Sequence, residues 1–345
     1  MEFHRILVRA TNWVGDAVMS LPALHALRAA YPRAHIAILA RPWVAGLYGR
    51  EPFCDEVIPY EAGKGWRELG TKTQIAVSLR DRQFDCAILF QNAFEAAALA
   101  WMARIPVRIG YDRDARGKLL TQAIPVPKPG EIPVHQRFYY LELLKRAGLI
   151  ANYSLDAEIR LTAGGGAAQN GAVLLADTGL SAPFLGVSPG AASGSAKRWL
   201  PERFSEAAVK LAQHRGSSVV IFGSKEETAV GERVAGEIER AGVPVCNLAG
   251  KTSLRQFIEM AAACELFLTN DSGSMHIASA LGVPTVAVFG PTDEKATGPA
   301  GRKNAILREP VECSPCHRRE CPIDHRCMTR ISADRAVEAG LQLLK

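Results

Sequence analysis

The stretch "HRILVRATNWVGDAVMSLPAL", residues 4–24, decides the fold of the first half of the chain. Its first seven residues form a short apolar run typical of a buried strand, and an amphipathic helix is predicted from Ala17 onward. A strand-to-helix turn is a usual place for a phosphate, because the helix N-terminus is positive. Here the turn carries Gly15 and Asp16, and a carboxylate repels a phosphate. Either Asp16 caps the helix, or it faces a substrate that needs a base.

The alternation of strand and helix continues along the chain. In the first half we predict strands at 5–10, 35–40, 85–90 and 107–110, and helices near 17–30, 64–80, 94–103 and 135–148. In the second half we predict strands at 184–190, 217–223, 265–270 and 284–290, and helices near 201–214, 225–241, 253–263 and 274–281. This pattern predicts an α/β fold with two Rossmann-like, doubly wound halves. Because such sheets bind ligands at the carboxyl ends of their strands, we expect the halves to face each other across a cleft.

The Gly-rich segment "LTAGGGAAQNG", residues 161–171, separates the two halves and is typical of a hinge. We therefore place a first domain at residues 1–165 and a second domain, with a Cys-rich tail, at residues 166–330. The last amphipathic helix lies in residues 331–345, and we expect it to pack back towards the first domain.

Composition limits the classes of function. A chain of 345 residues exceeds what one core usually organises, and its 48% hydrophobic and 22% charged residues are ordinary for a globular protein. The formal charge of +6 is too weak for a dedicated nucleic-acid binder but fits anionic substrates or a membrane surface. We predict no signal peptide and find no apolar run of the length, about 18 residues, that spans a membrane. These features predict a cytoplasmic protein with reduced or metal-bound cysteines.

The nucleotide motifs of dehydrogenases and ATPases are missing. No GxGxxG follows the leading strand of either half, and the loop "GAASGSAK", residues 190–197, does not have the Walker spacing. Its small residues nevertheless let backbone N–H groups approach a phosphate, and Lys197 and Arg198 supply positive charge. A solvated basic turn is an equally good interpretation of this segment alone.

A second segment, "TNDSGSMHIASALGVPTVAVFGPTD" at residues 269–293, places polar residues after a predicted strand. Asp271 or Ser272 can simply cap the helix that carries His276. The hydroxyl and backbone donors at this positive helix end also suit a diphosphate. Two further polar turns, "FGSKEE" and "FGPTD", follow neighbouring strands, and the acids of the first suit ribose hydroxyls. Three such turns favour a nucleotide site.

Taken together, "TNWVGDAVMSLPAL", "SPGAASGSAKRWLPERF", "VVIFGSKEE", "NLAGKTSL" and "TNDSGSMHIASALGVPTVAVFGPT" closely resemble the ADP-heptose:lipopolysaccharide heptosyltransferases, glycosyltransferase family 9, and most nearly their type II branch. The resemblance covers essentially the whole chain and implies a GT-B architecture with the nucleotide-sugar in the second domain. It implies inverting transfer of L-glycero-D-manno-heptose from ADP-heptose to heptosyl-Kdo2-lipid A, the inner core of lipopolysaccharide. It also implies no catalytic cofactor or metal, no nucleic-acid partner, and a cytoplasmic enzyme peripheral to the inner membrane.

Alternatives remain at this point. The nearest are a type I or type III heptosyltransferase, or another GT-B nucleotide-sugar transferase. From a different class, a non-catalytic module that binds metal or nucleic acid through the cysteine cluster is a weaker rival.

The resemblance also implies roles for single residues. Asp16 would be the general base, and Lys197 would neutralise the leaving diphosphate. The implied donor-binding residues lie at strand ends of the second domain: Ser188, Gly190, Lys197, Glu226 (or its neighbour Glu227), Asp271, Ser272, Gly273 and His276. For a phosphorylated, lipid-anchored acceptor we predict one polar and several basic contacts in the first domain: Asn92, Arg108, Arg113, Arg116, His135 and Arg137. Taken alone, a basic run of this kind is usually a solvated face, and we expect this of about half of these residues.

The segment "CSPCHRRECPIDHRC", residues 313–327, has its own pattern. Its cysteines are Cys313, Cys316, Cys321 and Cys327. A CxxC pair in a reducing compartment favours a metal, but the second pair lacks this spacing, so the pattern is not that of a zinc ribbon. We predict a local staple by structural zinc or by disulfides, with free thiols as the alternative.

Overall fold

A computed structural model describes residues 2–61, 66–162, 166–192 and 194–345. The chain divides into two compact units, Met1–Ile159 and Arg160–Lys345. Three predicted features include residues outside the described ranges. These residues are the first two of the predicted helix 64–80, residues 163–165 in the middle of the predicted hinge, and Ser193 in the predicted phosphate loop. The remainder of the predicted hinge is helical from Ala167 onward.

The described residues of the first unit form a parallel six-stranded sheet in the order β3-β2-β1-β4-β5-β6. Its strands are β1 (Arg5–Arg9), β2 (His35–Ala40), β3 (Glu56–Pro59), β4 (Cys86–Leu89), β5 (Val107–Tyr111) and β6 (Gln122–Ile124). Its helices are α1 (Val14–Met19), α2 (Leu21–Ala30), α3 (Pro42–Ala45), α4 (Trp66–Asp81), α5 (Phe94–Met102) and α6 (Arg137–Arg146).

The described residues of the second unit form another parallel six-stranded sheet, in the order β12-β11-β10-β7-β8-β9. Its strands are β7 (Phe184–Ser188), β8 (Ser218–Ile221), β9 (Val245–Asn247), β10 (Leu266–Asn270), β11 (Thr285–Phe289) and β12 (Asn304–Arg308). Its helices are α7 (Ala167–Ala176), α8 (Pro201–Arg215), α9 (Thr228–Arg240), α10 (Leu254–Ala262), α11 (Gly273–Ala280), α12 (Glu294–Thr297), α13 (Arg326–Thr329) and α14 (Ala333–Leu343).

Both sheets have the same topology. When the strands are counted from the first one of each unit, the order is 3-2-1-4-5-6 in both. The direction of winding reverses between β1 and β4 in the first unit and between β7 and β10 in the second. This is the Rossmann arrangement, in which ligands bind at the carboxyl ends of the strands that flank the reversal. The prediction of two doubly wound units is confirmed, and the two reversal points are where sites are expected.

Burial explains why these segments are strands. The inner strands β1, β2, β4, β5, β7, β8, β10 and β11 are largely buried runs rich in β-branched and other apolar residues. Such runs are typical of parallel sheets covered by helices on both faces. The four strands that we did not predict, β3, β6, β9 and β12, are the outer strands of the two sheets.

Local sequence signals determine where the helices of the second unit begin, end and pack. Pro201 occupies the first turn of α8, where a proline is preorganised for a helix, and Gly216 ends this helix with φ at +67°. Helix α7 packs on α10 at Gly171, where a Cβ would lie 1.8 Å from the carbonyl oxygen of Glu259, so only glycine permits this approach. The last helix, α14, packs against α8, β11 and β12. No helix in the described part of the chain is long and apolar enough to cross a bilayer.

Candidate active site

The carboxyl end of β10 in the second unit carries a buried ion pair. The Asp271 side chain lies directly after the strand, and its Oδ2 accepts a hydrogen bond from Lys197 Nζ at 2.6 Å. The hydroxyl of Thr292, after β11, donates to the same oxygen at 2.6 Å. An ammonium group carries three donors, so Lys197 keeps donor capacity for an anion while Asp271 fixes its position. A cation is thus held at the strand ends where a phosphate is expected.

Asn270, the last residue of β10, binds both ends of the loop between β7 and α8, which carries Lys197. Its amide nitrogen donates to the carbonyls of Pro189 at 2.8 Å and Gly190 at 3.2 Å. Its amide oxygen accepts the backbone N–H of Trp199 at 2.9 Å. Asn270 is fully buried, and breaking these bonds would leave polar groups unsatisfied. Asn270 therefore fixes the start and the end of the loop that carries Lys197.

A chain of hydroxyl groups lies beside the ion pair at the start of α11. Ser188, the last residue of β7, contacts Ser274 with 2.8 Å between their Oγ atoms. Ser272, the N-cap residue of α11, contacts the same Oγ of Ser274 at 2.7 Å. His276 is buried within α11. Hydroxyl donors at a helix N-terminus, where the dipole is positive, suit an anionic oxygen.

The acidic turn after β8 reaches the same loop. Glu227 is buried, accepts the backbone N–H of Ser224 at 2.8 Å and completes a capping box. A Cβ at Gly190 would lie 2.1 Å from the carboxyl carbon of Glu227, so the glycine allows the carboxylate to approach the loop. Glu226 is exposed, and hydrogen bonds from its own backbone N–H and from Ser224 lower its pKa. Of the acidic pair considered for the nucleoside, Glu227 lies against the loop after β7.

The Cys-rich segment contacts the loops of the Asp271 site. The backbone N–H of Ala196 donates to the carbonyl of Arg319 at 2.9 Å, and the Nε2 of His325 lies 2.7 Å from the carbonyl of Ala196. The N–H groups of Cys316 and His317 donate to the carbonyl of Pro291 at 3.0 and 2.8 Å. The segment thus holds the residue before Lys197 and the residue before Thr292.

The thiols of this segment are free. All eight cysteines of the chain lie within the described residues, and none forms a disulfide. The described residues contain no group of three or more His, Cys, Asp or Glu side chains arranged to hold a metal ion. Burial, together with the neighbouring thiols of Cys313, Cys321 and Cys316, raises the pKa of Cys327 to about 11. The predicted zinc or disulfide staple is not supported, and hydrogen bonds from backbone groups and from side chains such as His325 hold the segment instead.

In the first unit, Asp16 lies at the reversal point of the sheet, after β1. Helix α1 begins at Val14 with Trp13 as its N-cap residue, so Asp16 is in the first turn and is not the cap. Its side chain is partly buried. Burial first, and then the negative charge of Asp16, raise the pKa of Tyr140 on α6. A carboxylate is therefore placed at the strand ends of the first unit, beside a neutral phenol.

Asn92 lies across the reversal point, after β4. Its Nδ2 donates to the hydroxyl of Tyr139 at 3.0 Å, and its Oδ1 accepts from Nη2 of Arg116 at 3.0 Å. The Arg116 guanidinium is fully buried and also donates to the carbonyls of Tyr111, at 2.9 Å, and Gln91. Burial lowers the pKa of Arg116 to about 10. The buried Arg116 side chain therefore fixes the position of the Asn92 side chain by this hydrogen bond.

The other predicted acceptor contacts are divided between internal and exposed positions. Arg108 donates to the carbonyls of Leu119 and Ile105 at 2.7 and 2.6 Å, so its guanidinium closes a loop. Arg137 lies over the Phe138 ring at 4.7 Å, and its backbone N–H donates to Nδ1 of His135 at 3.1 Å. The side chain of Arg113 is 57% exposed, with Asp114 3.7 Å away. Among these residues, Arg113 is the most accessible to a ligand.

Comparison with known proteins identifies the family. Residues 73–326 match the model of glycosyltransferase family 9 (heptosyltransferase). The chain is 33% identical to lipopolysaccharide heptosyltransferase 2 of Salmonella typhimurium over 311 residues, and 32% identical to that of Escherichia coli K12 over 309 residues, with 88% of each chain covered in both cases. The structure of E. coli ADP-heptose lps heptosyltransferase II matches with a TM-score of 0.85 at 30% identity, covering 99% of this chain and 98% of that one.

The fold and these matches define a GT-B glycosyltransferase, an enzyme. The chain belongs to glycosyltransferase family 9, the heptosyltransferases. The predicted resemblance to this family and to its type II branch is confirmed, as is the predicted GT-B fold. Family membership excludes the alternative of a non-catalytic module.

The sequence interpretation missed two residues of the second site. It selected Lys197 and Asp271 but gave no role to Asn270 or Thr292, which form most of the remaining side-chain bonds around them. A signal for each was present, because Asn270 is the last residue of a buried strand and Thr292 lies in the polar turn that follows another. What the sequence could not provide was the pairing of strand ends, which brings Thr292 to Asp271.

Proposed function

We propose that this enzyme transfers L-glycero-D-manno-heptose from ADP-heptose to heptosyl-Kdo2-lipid A, with inversion at the anomeric carbon, in lipopolysaccharide core synthesis. The observation that carries the proposal is the ion pair of Lys197 and Asp271 beside the hydroxyls at the N-terminus of α11. This arrangement suits a diphosphate whose negative charge grows as the sugar leaves. The names of the relatives, heptosyltransferase 2, support the donor and the inner-core acceptor.

In the proposed reaction, the Asp16 carboxylate accepts the proton of the acceptor hydroxyl. The hydroxyl oxygen then forms a bond to the anomeric carbon as the bond between that carbon and the diphosphate oxygen breaks. The electron pair of the broken bond stays on ADP, where Lys197 and the hydroxyls of Ser188, Ser272 and Ser274 stabilise the added charge. Asp16 has the partial burial and position at a reversal point that a base for a bound hydroxyl needs.

We also propose that the nucleoside lies against the turn of Glu227, and that the acceptor lies at the carboxyl edge of the first sheet near Asn92 and Arg113. The acceptor is anchored in a lipid bilayer, so the enzyme would meet it at the cytoplasmic face of the inner membrane. The formal charge of +6 favours contact with anionic lipid headgroups.

The proposal is tested by donor and acceptor competition with the full-length enzyme. Purified protein is incubated with ADP-heptose or a UDP-sugar, and with heptosyl-Kdo2-lipid A or Kdo2-lipid A as acceptor. We expect mass spectrometry to detect the addition of one heptose only with ADP-heptose and the heptosylated acceptor. Transfer only from a UDP-sugar would overturn the donor assignment, and preference for the acceptor without heptose would indicate a type I enzyme.

A further inference from the structure

Large aromatic side chains lie exposed at the carboxyl edge of the first sheet. The exposed fractions are 61% for Trp13, 54% for Trp43 and 51% for Phe94. These residues follow β1, β2 and β4, and Trp13 is the N-cap residue of the helix that carries Asp16. Several exposed aromatic side chains at one edge of a sheet are a common sign of a binding surface.

The position of Trp43 is set by hydrogen bonding. Its indole Nε1–H donates to the carbonyl of Asn12 at 2.9 Å. The Oδ1 of Asn12 in turn accepts from Nη2 of the buried Arg9 at 2.8 Å. Because Asn12 directly precedes Trp13, one hydrogen-bonded chain links the segments that carry the two indoles. An anchored aromatic ring loses little conformational entropy when it binds a ligand.

A cationic group lies next to this surface. The Arg41 guanidinium carbon is 4.3 Å from the centroid of the Tyr60 ring and 5.9 Å from that of Trp43. Glu95 is 3.3 Å from Arg41 and also accepts the Tyr60 hydroxyl. Arg9 lies on Tyr60 as well, with its Nε buried and without a hydrogen-bond partner among the described residues. Glu95 forms its ion pair with Arg41, and Arg9 adds a second guanidinium group near the same carboxylate.

We propose that Trp13 and Trp43 form a stacking platform for a sugar ring of the acceptor, and that Arg41 faces a carboxylate or phosphate on that sugar. The inference rests on the proposed function and identifies how its acceptor is recognised. The negative face of an indole attracts the C–H groups on one face of a pyranose, and Arg41 supplies a matched charge for an anionic substituent. Arg108 and Arg116, selected from the basic pattern, are engaged in internal hydrogen bonds.

The test compares Trp43→Ala with Trp101→Ala as a matched control. Trp101 is 55% exposed in the same unit but lies near the end of α5, towards the opposite edge of the sheet. The acceptor is a deacylated, lipid-free inner-core oligosaccharide. We expect Trp43→Ala to raise the KM for the oligosaccharide about tenfold and to leave the KM for ADP-heptose unchanged. Trp101→Ala should change neither constant.

The anionic part of the ligand is tested with Arg41→Gln and with Arg33→Gln as its control. Arg33 is exposed and precedes β2, at the amino edge of the sheet. Arg41→Gln should raise the KM for the oligosaccharide several-fold and weaken its dependence on salt, since one charge contact is lost. Arg33→Gln should behave as wild type. Unchanged melting temperatures in all variants verify that they are folded.

Equal KM values for the oligosaccharide in Trp43→Ala and Trp101→Ala would overturn the inference. An effect of Trp43→Ala that appears only with the lipid-linked acceptor would also overturn it, because the indole would then contact the bilayer. These outcomes require that the wild-type enzyme transfers heptose. If it does not transfer heptose to either form of the acceptor, the proposed function itself fails.

Discussion

The two units have the same strand order but opposite chemistry at their reversal points. In the second unit, hydrogen bonds join the strand ends. Lys197 Nζ and the Thr292 hydroxyl each donate to Oδ2 of Asp271 at 2.6 Å. In the first unit the corresponding edge presents a partly buried carboxylate, Asp16, beside the exposed indole of Trp13. The comparison indicates that the shared fold provides the position of a site, and that the residues directly after the strands determine its ligand.

This difference has a physical reason. A diphosphate is small and highly charged, so it is bound best by fixed donors and a fixed cation that need no reorganisation. A sugar acceptor is larger and presents apolar C–H faces as well as hydroxyls, which suits aromatic surfaces and a base. The same difference explains why Asp16 lies in a strand-to-helix turn, where a phosphate usually binds. The proposed diphosphate site is at the other sheet, so this turn does not have to bind a phosphate.

The largest effect is expected for Asp16→Asn, which keeps the shape of the side chain and removes the proposed base. Loss of a general base lowers kcat by about 10² to 10⁴-fold. Asp81→Asn, an exposed position at the end of α4, is the matched control and should retain full activity. Rates of heptose transfer measure both. Activity of Asp16→Asn within a few-fold of wild type would remove Asp16 from the mechanism.

The next largest effect is expected for Lys197→Met. Because we propose that Lys197 stabilises the leaving diphosphate, its removal should lower kcat by about 10² to 10³-fold. It also leaves the Asp271 carboxylate buried without its ammonium partner, so the melting temperature should fall. The double variant Lys197→Met, Asp271→Asn should regain most of the melting temperature and none of the activity. Recovery of activity in the double variant would show that Lys197 acts only on stability.

His325 tests whether the Cys-rich segment positions the second site. Its ring donates to the carbonyl next to Lys197, and loss of one such bond, about 0.5–1.5 kcal/mol, predicts a fall in kcat/KM for ADP-heptose of about three- to tenfold in His325→Ala. His325→Asn keeps a donor and tolerates the left-handed backbone at φ +56°, so it should recover part of the loss. The exposed His214 is the control, and an equal loss in His214→Ala would contradict the positioning role.

The smallest effect concerns the reactivity of the thiols. Because the pKa of the Cys327 thiol is about 11 in the folded protein, the thiol keeps its proton until the pH approaches that value. At pH 8, about one Cys327 side chain in 1,000 is a thiolate. Iodoacetamide at pH 8 should therefore label the exposed Cys313 and Cys316 first, and labelling of Cys327 should accelerate between pH 8 and 11. Peptide mass mapping measures this order. Early labelling of Cys327 would mean that the Cys-rich segment opens readily.

The sequence predicts the inner part of each sheet well and the edges poorly. The inner strands are continuous apolar runs because helices cover both of their faces. The outer strands β3, β6, β9 and β12 are short and only partly buried, so their composition does not differ from that of loops. The sequence did not predict helix α7, because its Gly171 lies in a Gly-rich segment that is typical of a hinge. In the structure this glycine allows α7 to pack closely on α10.

The same limit applies to the candidate sites. Motifs predicted Lys197 and Asp271. Asp271 lies directly after an inner strand, and Lys197 lies in a loop of small residues, and both arrangements leave a local pattern in the sequence. The role of Arg116 had no such pattern, since a buried arginine and an exposed one look alike in a basic run, and only the fold shows that it holds Asn92. Asn270 and Thr292 act through partners that are distant in sequence. Contacts of this kind become visible only when strand ends are paired.

The most direct test of the division between the units is a calorimetric titration of ADP into the full-length enzyme and two of its variants. We expect Asp16→Asn to bind ADP with the affinity of the wild type, and Lys197→Met to bind it at least about tenfold more weakly. An equal loss of ADP affinity in both variants, or an unchanged affinity in Lys197→Met, would contradict the assignment of base and diphosphate to different units.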